Sequence, residues 1–120
     1  MHEFKWWHER SDGHGITTSV EVKLLHTEQS PYQLIEIYDH QSFGRLLVLD
    51  GYIQASQADE FIYHEMAVHV PLLGRDRQDA SVLIIGGGEG GILRESLKHD
   101  FVTAVTMVEI DRRVVDLAQE

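Results

Sequence analysis

A chain of 120 residues has room for one compact domain, or for a small module and part of another. It contains no cysteine, which excludes disulfide frameworks, thiolate zinc sites and a cysteine nucleophile, and fits a reducing compartment. Its formal charge of −10 argues against a nucleic-acid partner, which needs a basic footprint. The same charge would favour approach of a polycation if it lies near a site, although solubility alone accounts for it. The start Met1-His2-Glu3-Phe4-Lys5-Trp6-Trp7-His8 lacks a signal-peptide apolar run, and no segment approaches transmembrane length. A cytoplasmic protein with no membrane partner is expected.

Residues 1–56 carry β-type alternation broken by turn residues. Ser19-Val20-Glu21-Val22 alternates, and the strand then grows more apolar through Leu24-Leu25. Strands are expected over 32–38, 44–49 and 52–55. Turns fall at Asp39-His40-Gln41-Ser42 and at Asp50-Gly51, the latter a strong short-hairpin cue. Such an antiparallel module buries one face alone and leaves the other for a neighbouring domain or subunit.

From Asp59 the period turns helical. Phe61, Ile62, Glu65, Met66, His69 and Val70 recur, with Asp59 and Glu60 in the first turn, where the helix dipole favours anions. Pro71 should stop or kink this helix, and 74–79 is a polar connector. Ser81-Val82-Leu83-Ile84-Ile85 then reads as a buried parallel strand entering a glycine turn, with a helix from about Gly91. Val105-Thr106-Met107-Val108-Glu109-Ile110-Asp111 is the next strand, ending in acids, and 113–120 a further helix. Two strands leave sheet edges and helix faces uncovered, so the chain reads as the front portion of a longer protein. The fold class is α/β: a small N-terminal antiparallel β module over 1–56, then, over 57–120, the start of a Rossmann-like (class I methyltransferase-type) doubly wound domain.

Gly86, Gly88 and Gly91 match the dinucleotide fingerprint, a weak signal alone. Context strengthens it: an apolar strand before, a helix after, and Glu109 standing 21 residues beyond Gly88, the spacing of a βαβ nucleotide unit. A tight ligand-free turn is the plainer alternative. Glu89 decides which nucleoside is favoured. Two unit charges about 4 Å apart interact by about 4 kcal/mol at an effective dielectric near 20, repulsively for a pyrophosphate and attractively for a sulfonium or ammonium. An S-adenosyl-type ligand is therefore preferred to NAD, provided Glu89 does not face outward. Glu109 can accept from both ribose hydroxyls, while Asp111 is better suited to cap the helix beginning near Arg112.

Other constellations carry less. Glu60 and His64 form an i,i+4 pair that would equally suit a solvated helix face. His64 and His69 are five residues apart, about 500° around a helix, so no metal is expected there. There is no Gly-x-Ser-x-Gly nucleophile turn. Trp6-Trp7 suits a core or interface anchor.

Taken together, several segments resemble the polyamine aminopropyltransferases, the spermidine synthase family. They are Tyr32-Gln33; 44–54 (Gly-Arg-Leu-Leu-Val-Leu-Asp-Gly-Tyr-Ile-Gln); 59–66 (Asp-Glu-Phe-Ile-Tyr-His-Glu-Met); 82–95, which carries the glycine turn and ends Arg94-Glu95; and Val108-Glu109-Ile110-Asp111. They run in family order over about residues 30–115. The resemblance implies transfer of an aminopropyl group from decarboxylated S-adenosylmethionine, a co-substrate rather than a cofactor, to a diamine such as putrescine. It implies an N-terminal oligomerisation domain over 1–56 and a homodimer or homotetramer. By the same resemblance Gln33 and Glu109 contact the adenosyl portion, Tyr63, His64 and Glu89 the amine and aminopropyl groups, and Gly86, Gly87 and Gly88 form the nucleoside loop.

The chain departs from that family in two ways. The family's catalytic Asp follows a fourth strand of the nucleotide domain, and a second acidic motif holds adenine; neither occurs within residues 1–120, so this stretch alone should be inactive. Position 89 is Glu where many relatives carry Asp; the extra methylene, about 1.5 Å, either changes amine-length preference or is tolerated. An S-adenosylmethionine-dependent methyltransferase and a non-catalytic oligomerisation or binding module remain the competing readings.

Overall fold

The change of period at Asp59 divides the chain into two units, Met1–Asp59 and Glu60–Glu120. The computed structural model describes residues 3–76 and 78–119. Met1 and His2, Arg77 of the connector and Glu120 of the last expected helix lie outside the described residues.

In the N-terminal unit, β1 (Lys5–His8), β2 (Ser19–Gln29), β3 (Leu34–His40), β4 (Gly44–Leu49) and β5 (Tyr52–Ser56) form one antiparallel sheet in chain order. Asp50 and Gly51 have φ of 51° and 84°, the two positive values of a type I′ turn, and Leu49 pairs with Tyr52 across it. The other expected turn lies later than its sequence suggests. Asp39 and His40 remain in β3, paired with Arg45 and Gly44, and the reversal covers 41–43. There the His40 Nδ1 accepts the backbone N–H groups of Ser42 and Phe43 at 3.0 and 3.1 Å.

Val22, Tyr38, Leu46 and Val48 form the core of this sheet, with Trp7, Val20 and Ile53 packed against it. Trp7 meets Tyr38 at 5.7 Å between ring centroids, whereas Trp6, on the opposite face of the pleat, is 67% exposed. Burial, followed by a 2.8 Å hydrogen bond to Glu36, pushes the Tyr38 hydroxyl pKa up. The apolar run after Val22 has a geometric origin. The register shifts between Leu24 and His26, making Leu25 the extra residue of a β-bulge, and both leucines stay exposed.

The second unit runs α1 (Glu60–Leu73), β6 (Ala80–Ile85), α2 (Gly91–Ser96), β7 (Val102–Val108) and α3 (Arg112–Ala118). β6 and β7 pair in parallel, as a Rossmann-like start requires. Ala80 and Ile84 are buried on one side of β6, while Leu83 and Ile85 are exposed on the other, as are Val108 and Ile110 at the end of β7. One apolar face of this pair is uncovered. Asp111 is 1% exposed and caps α3, accepting the Arg113 N–H at 3.1 Å.

One expectation about α1 needs correction. The helix does not stop at Pro71 but continues to Leu73, with the proline inside its last turn. The apolar stripe of Phe61, Ile62, Met66 and Val70 is exposed, and the buried residues are His64 and Val68. α1 turns its Glu60–His64–Val68 face to α2. No helix among the described residues is long and apolar enough to cross a membrane.

Candidate active site

Three consecutive glycines carry the backbone off the end of β6. Gly86 extends the ladder by donating its N–H to the Val108 carbonyl at 2.8 Å, then turns with φ 84°. Gly87 follows at φ 75°, and its carbonyl accepts the Gly90 N–H at 2.9 Å. These positive values favour residues without a Cβ. Gly88 is glycine for a different reason: a Cβ there would lie 2.8 Å from Glu109 Cγ. That close approach lets the Gly88 N–H donate to Glu109 Oε2 at 3.0 Å, while the Asp111 N–H donates to Oε1 at 3.0 Å. The Glu109 carboxylate is thus held from both sides, with about half of its four acceptor sites left for another donor.

Glu89 sits in the turn with its side chain 29% exposed, and it does not face outward. Its Oε1 meets His64 Nε2 at 3.1 Å. The other ring nitrogen, Nδ1, contacts Glu60 Oε2, so the imidazole lies between two carboxylates. His64 is 3% exposed, and its ring rests on Gly91, where any Cβ would overlap it. The Glu60–His64 pair is therefore part of a buried contact between α1 and α2, not a solvated helix face. Tyr63 is 69% exposed, and its ring edge meets His64 at 5.4 Å.

Behind this pair lies a second polar cluster. Arg94 donates through Nη2 to Glu60 Oε2 at 2.8 Å and through Nε to Glu95 Oε1 at 3.0 Å. Glu95, 1% exposed, also receives Lys98 at 2.6 Å and His69 Nε2 at 3.0 Å. His69 Nδ1 lies 2.8 Å from His99 Nε2. The Lys98 ammonium, then Arg94 and His69, hold the Glu95 carboxyl down at about 2 against the cost of burial. The Arg94 guanidinium holds the Glu60 carboxyl below its ordinary range, with His64 adding to the effect.

Residues 60–120 match the spermine/spermidine synthase domain, and residues 5–57 match the spermidine synthase tetramerisation domain. The chain belongs to the spermine/spermidine synthase family. It is 42% identical over 116 residues to polyamine aminopropyltransferase 1 of Bacillus cereus, covering 96% of this chain and 42% of that protein. It is 49% identical to the polyamine aminopropyltransferase of Nitrosococcus oceani over 96% of this chain and 40% of the relative. The spermidine synthase of Thermotoga maritima superposes with a TM-score of 0.90 at 37% identity, over 96% of this chain and 40% of that one. A spermidine synthase in complex with the transition-state analogue AdoDATO gives 0.90 and 37% as well, over 96% of this chain and 39% of that one. The chain spans about two fifths of the length of the curated relatives it matches. The α/β reading, an antiparallel module followed by a Rossmann-like start, holds on these matches.

Within this family member, Glu89, His64 and Tyr63 lie together, and Glu109 is anchored on Gly88 of the same glycine turn. Gln33 belongs to the N-terminal unit, half-buried in the turn before β3, where its backbone bonds to Ser30. The family resemblance assigns no role to Arg94 or Glu95. The signal that marks them is the charge-dense run Arg94-Glu95-x-x-Lys98-His99 over the end of α2 and the turn after it, where Lys98 reaches back three residues to Glu95. His64 and His69 go to separate partners, the glutamates of the site and the Glu95 cluster respectively.

Proposed function

We propose that the protein acts in polyamine biosynthesis, transferring the aminopropyl group of decarboxylated S-adenosylmethionine to a diamine such as putrescine, giving spermidine and methylthioadenosine. One observation carries the reading: a single glycine turn presents one inward carboxylate, Glu89, and fixes a second, Glu109, in a domain matched to the family. Glu109 takes the adenosyl portion, on the ribose diol. Tyr63, His64 and Glu89 face the aminopropyl and amine groups, and Gly86, Gly87 and Gly88 let the backbone approach the nucleoside.

The chemistry suits such a site. The amine lone pair attacks the propyl carbon bonded to sulfur, the carbon–sulfur bond breaks, and its electrons neutralise the sulfonium as methylthioadenosine leaves. Alignment for in-line attack is the main task, because the leaving group is already activated. An alkylammonium with pKa near 10.4 must first lose a proton to a carboxylate base. Ligand binding is the readout proposed for residues 1–120. A homodimer or homotetramer built through the N-terminal sheet, in the cytoplasm, completes the proposal; the match to a tetramerisation domain supports the oligomer.

Calorimetric titration tests the reading. Methylthioadenosine should bind, and spermidine should bind better in its presence. Glu109→Gln should weaken the nucleoside roughly tenfold or more, the scale of a charged hydrogen bond. Glu89→Gln should affect the amine more than the nucleoside. Binding of S-adenosylmethionine with no response to any amine would instead indicate a methyltransferase.

A further inference from the structure

Arg94 lies outside every role assigned above, yet its guanidinium links the buried Glu95 to the site through Glu60. The links run in sequence: Glu95 to Arg94, Arg94 to Glu60, Glu60 to His64 Nδ1, and His64 Nε2 to Glu89. They join α2, α1 and the glycine turn. The Glu60 oxygen that takes Arg94 Nη2 is the oxygen that meets His64 Nδ1. Only a donor can face it, so Nδ1 carries a hydrogen. A neutral imidazole has just one N–H, which leaves the Nε2 lone pair opposite Glu89 Oε1 at 3.1 Å. Two lone pairs at that distance repel, so the gap between Nε2 and Glu89 Oε1 favours an incoming donor. The ring cannot swing away, because Gly91 lies against it and the Tyr63 ring meets it edge-on.

We propose that Arg94 is a positioning residue: through Glu60 it fixes the Nδ1–H form of His64, aims Nε2 at Glu89, and so keeps Glu89 ready for an alkylammonium. The choice of ligand rests on the aminopropyl-transfer reading; the effect on His64 does not. Arg94 is a fork and not a point charge, since Nε and Nη2 engage two different carboxylates. Lysine at this position can neutralise Glu60 but cannot span both.

Nitrogen-15 NMR of the histidine rings tests this directly. In the wild-type protein the His64 resonances should show a protonated Nδ1, and spermidine added with methylthioadenosine should move the Nε2 signal. Arg94→Gln should redistribute the proton between the two nitrogens and weaken spermidine at least fivefold, leaving methylthioadenosine affinity within twofold. Arg94→Lys should restore Nδ1 protonation but only part of the amine affinity. Glu60→Gln cuts the same link while leaving the Glu95 cluster intact, and it should reproduce the redistribution if Arg94→Gln fails to fold. An unchanged His64 pattern in folded Arg94→Gln or Glu60→Gln protein would overturn the proposal, as would equal losses for nucleoside and amine. If wild-type protein binds neither ligand, the functional reading falls, and the His64 signals alone decide the positioning role.

Discussion

At Gly91 the absence of a side chain makes room for the His64 ring, and three glycines of the same turn fail for three different reasons. Gly91 has ordinary φ, so alanine there is purely an overlap with a ring wedged between two carboxylates. Gly88 faces Glu109, and Gly86 faces open space but has φ 84°. Gly91→Ala should cost about 1–3 kcal/mol by overpacking and should weaken amine binding by displacing His64. Gly88→Ala should act on nucleoside binding, and Gly86→Ala should cost about 1–2 kcal/mol of backbone strain without moving either acid. Denaturant midpoints with paired ligand titrations would read these outcomes; identical ligand profiles for all three would refute the separate roles. The sequence showed that the turn needed glycines but could not show which faced His64, because that contact joins residues distant in the chain.

Between elements, α1 and α2 are joined by charge more than by apolar packing. The stripe of Phe61, Ile62, Met66 and Val70 was legible as helical period, but period does not say which side of a helix is covered. The buried side carries His64 and Val68, beside Glu95 and Ser96 on α2. The cluster makes a pH prediction with a definite sign. The Glu95 carboxyl stands at about 2 against an ordinary 4.5, so its contribution is full above about pH 4.5 and fades as pH falls towards 2. The Glu60 carboxyl is shifted the same way. Unfolding free energy should therefore drop over this acid range. Glu95→Gln should flatten the drop and lower stability at neutral pH by about 3–5 kcal/mol, the cost of breaking a buried pair. An acid profile unchanged by the substitution would remove Glu95 from that balance. The Leu25 bulge is another feature of this scale. Its apolar run was visible, but a one-residue register shift needs the partner strand to be recognised.

For the molecule as a whole, the sequence yielded the two sheet types and the parallel β6–β7 pair because each has its own period and its own turn chemistry. Asp50-Gly51 specified its hairpin locally, and Asp111 its helix cap. The exposed face of Leu83, Ile85, Val108 and Ile110 agrees with the expectation that two strands cannot cover themselves. What stayed hidden was the connection from Glu95 to Glu89, made of side chains on three segments.

On the proposed function, an acidic glycine turn receives a thio-nucleoside together with an amine. A crystal soaked with methylthioadenosine and spermidine tests it most directly. The ribose hydroxyls should lie on Glu109 and an amine nitrogen within about 3 Å of Glu89. A dinucleotide bound from a competing NAD soak, its diphosphate against Gly86–Gly88, would contradict it.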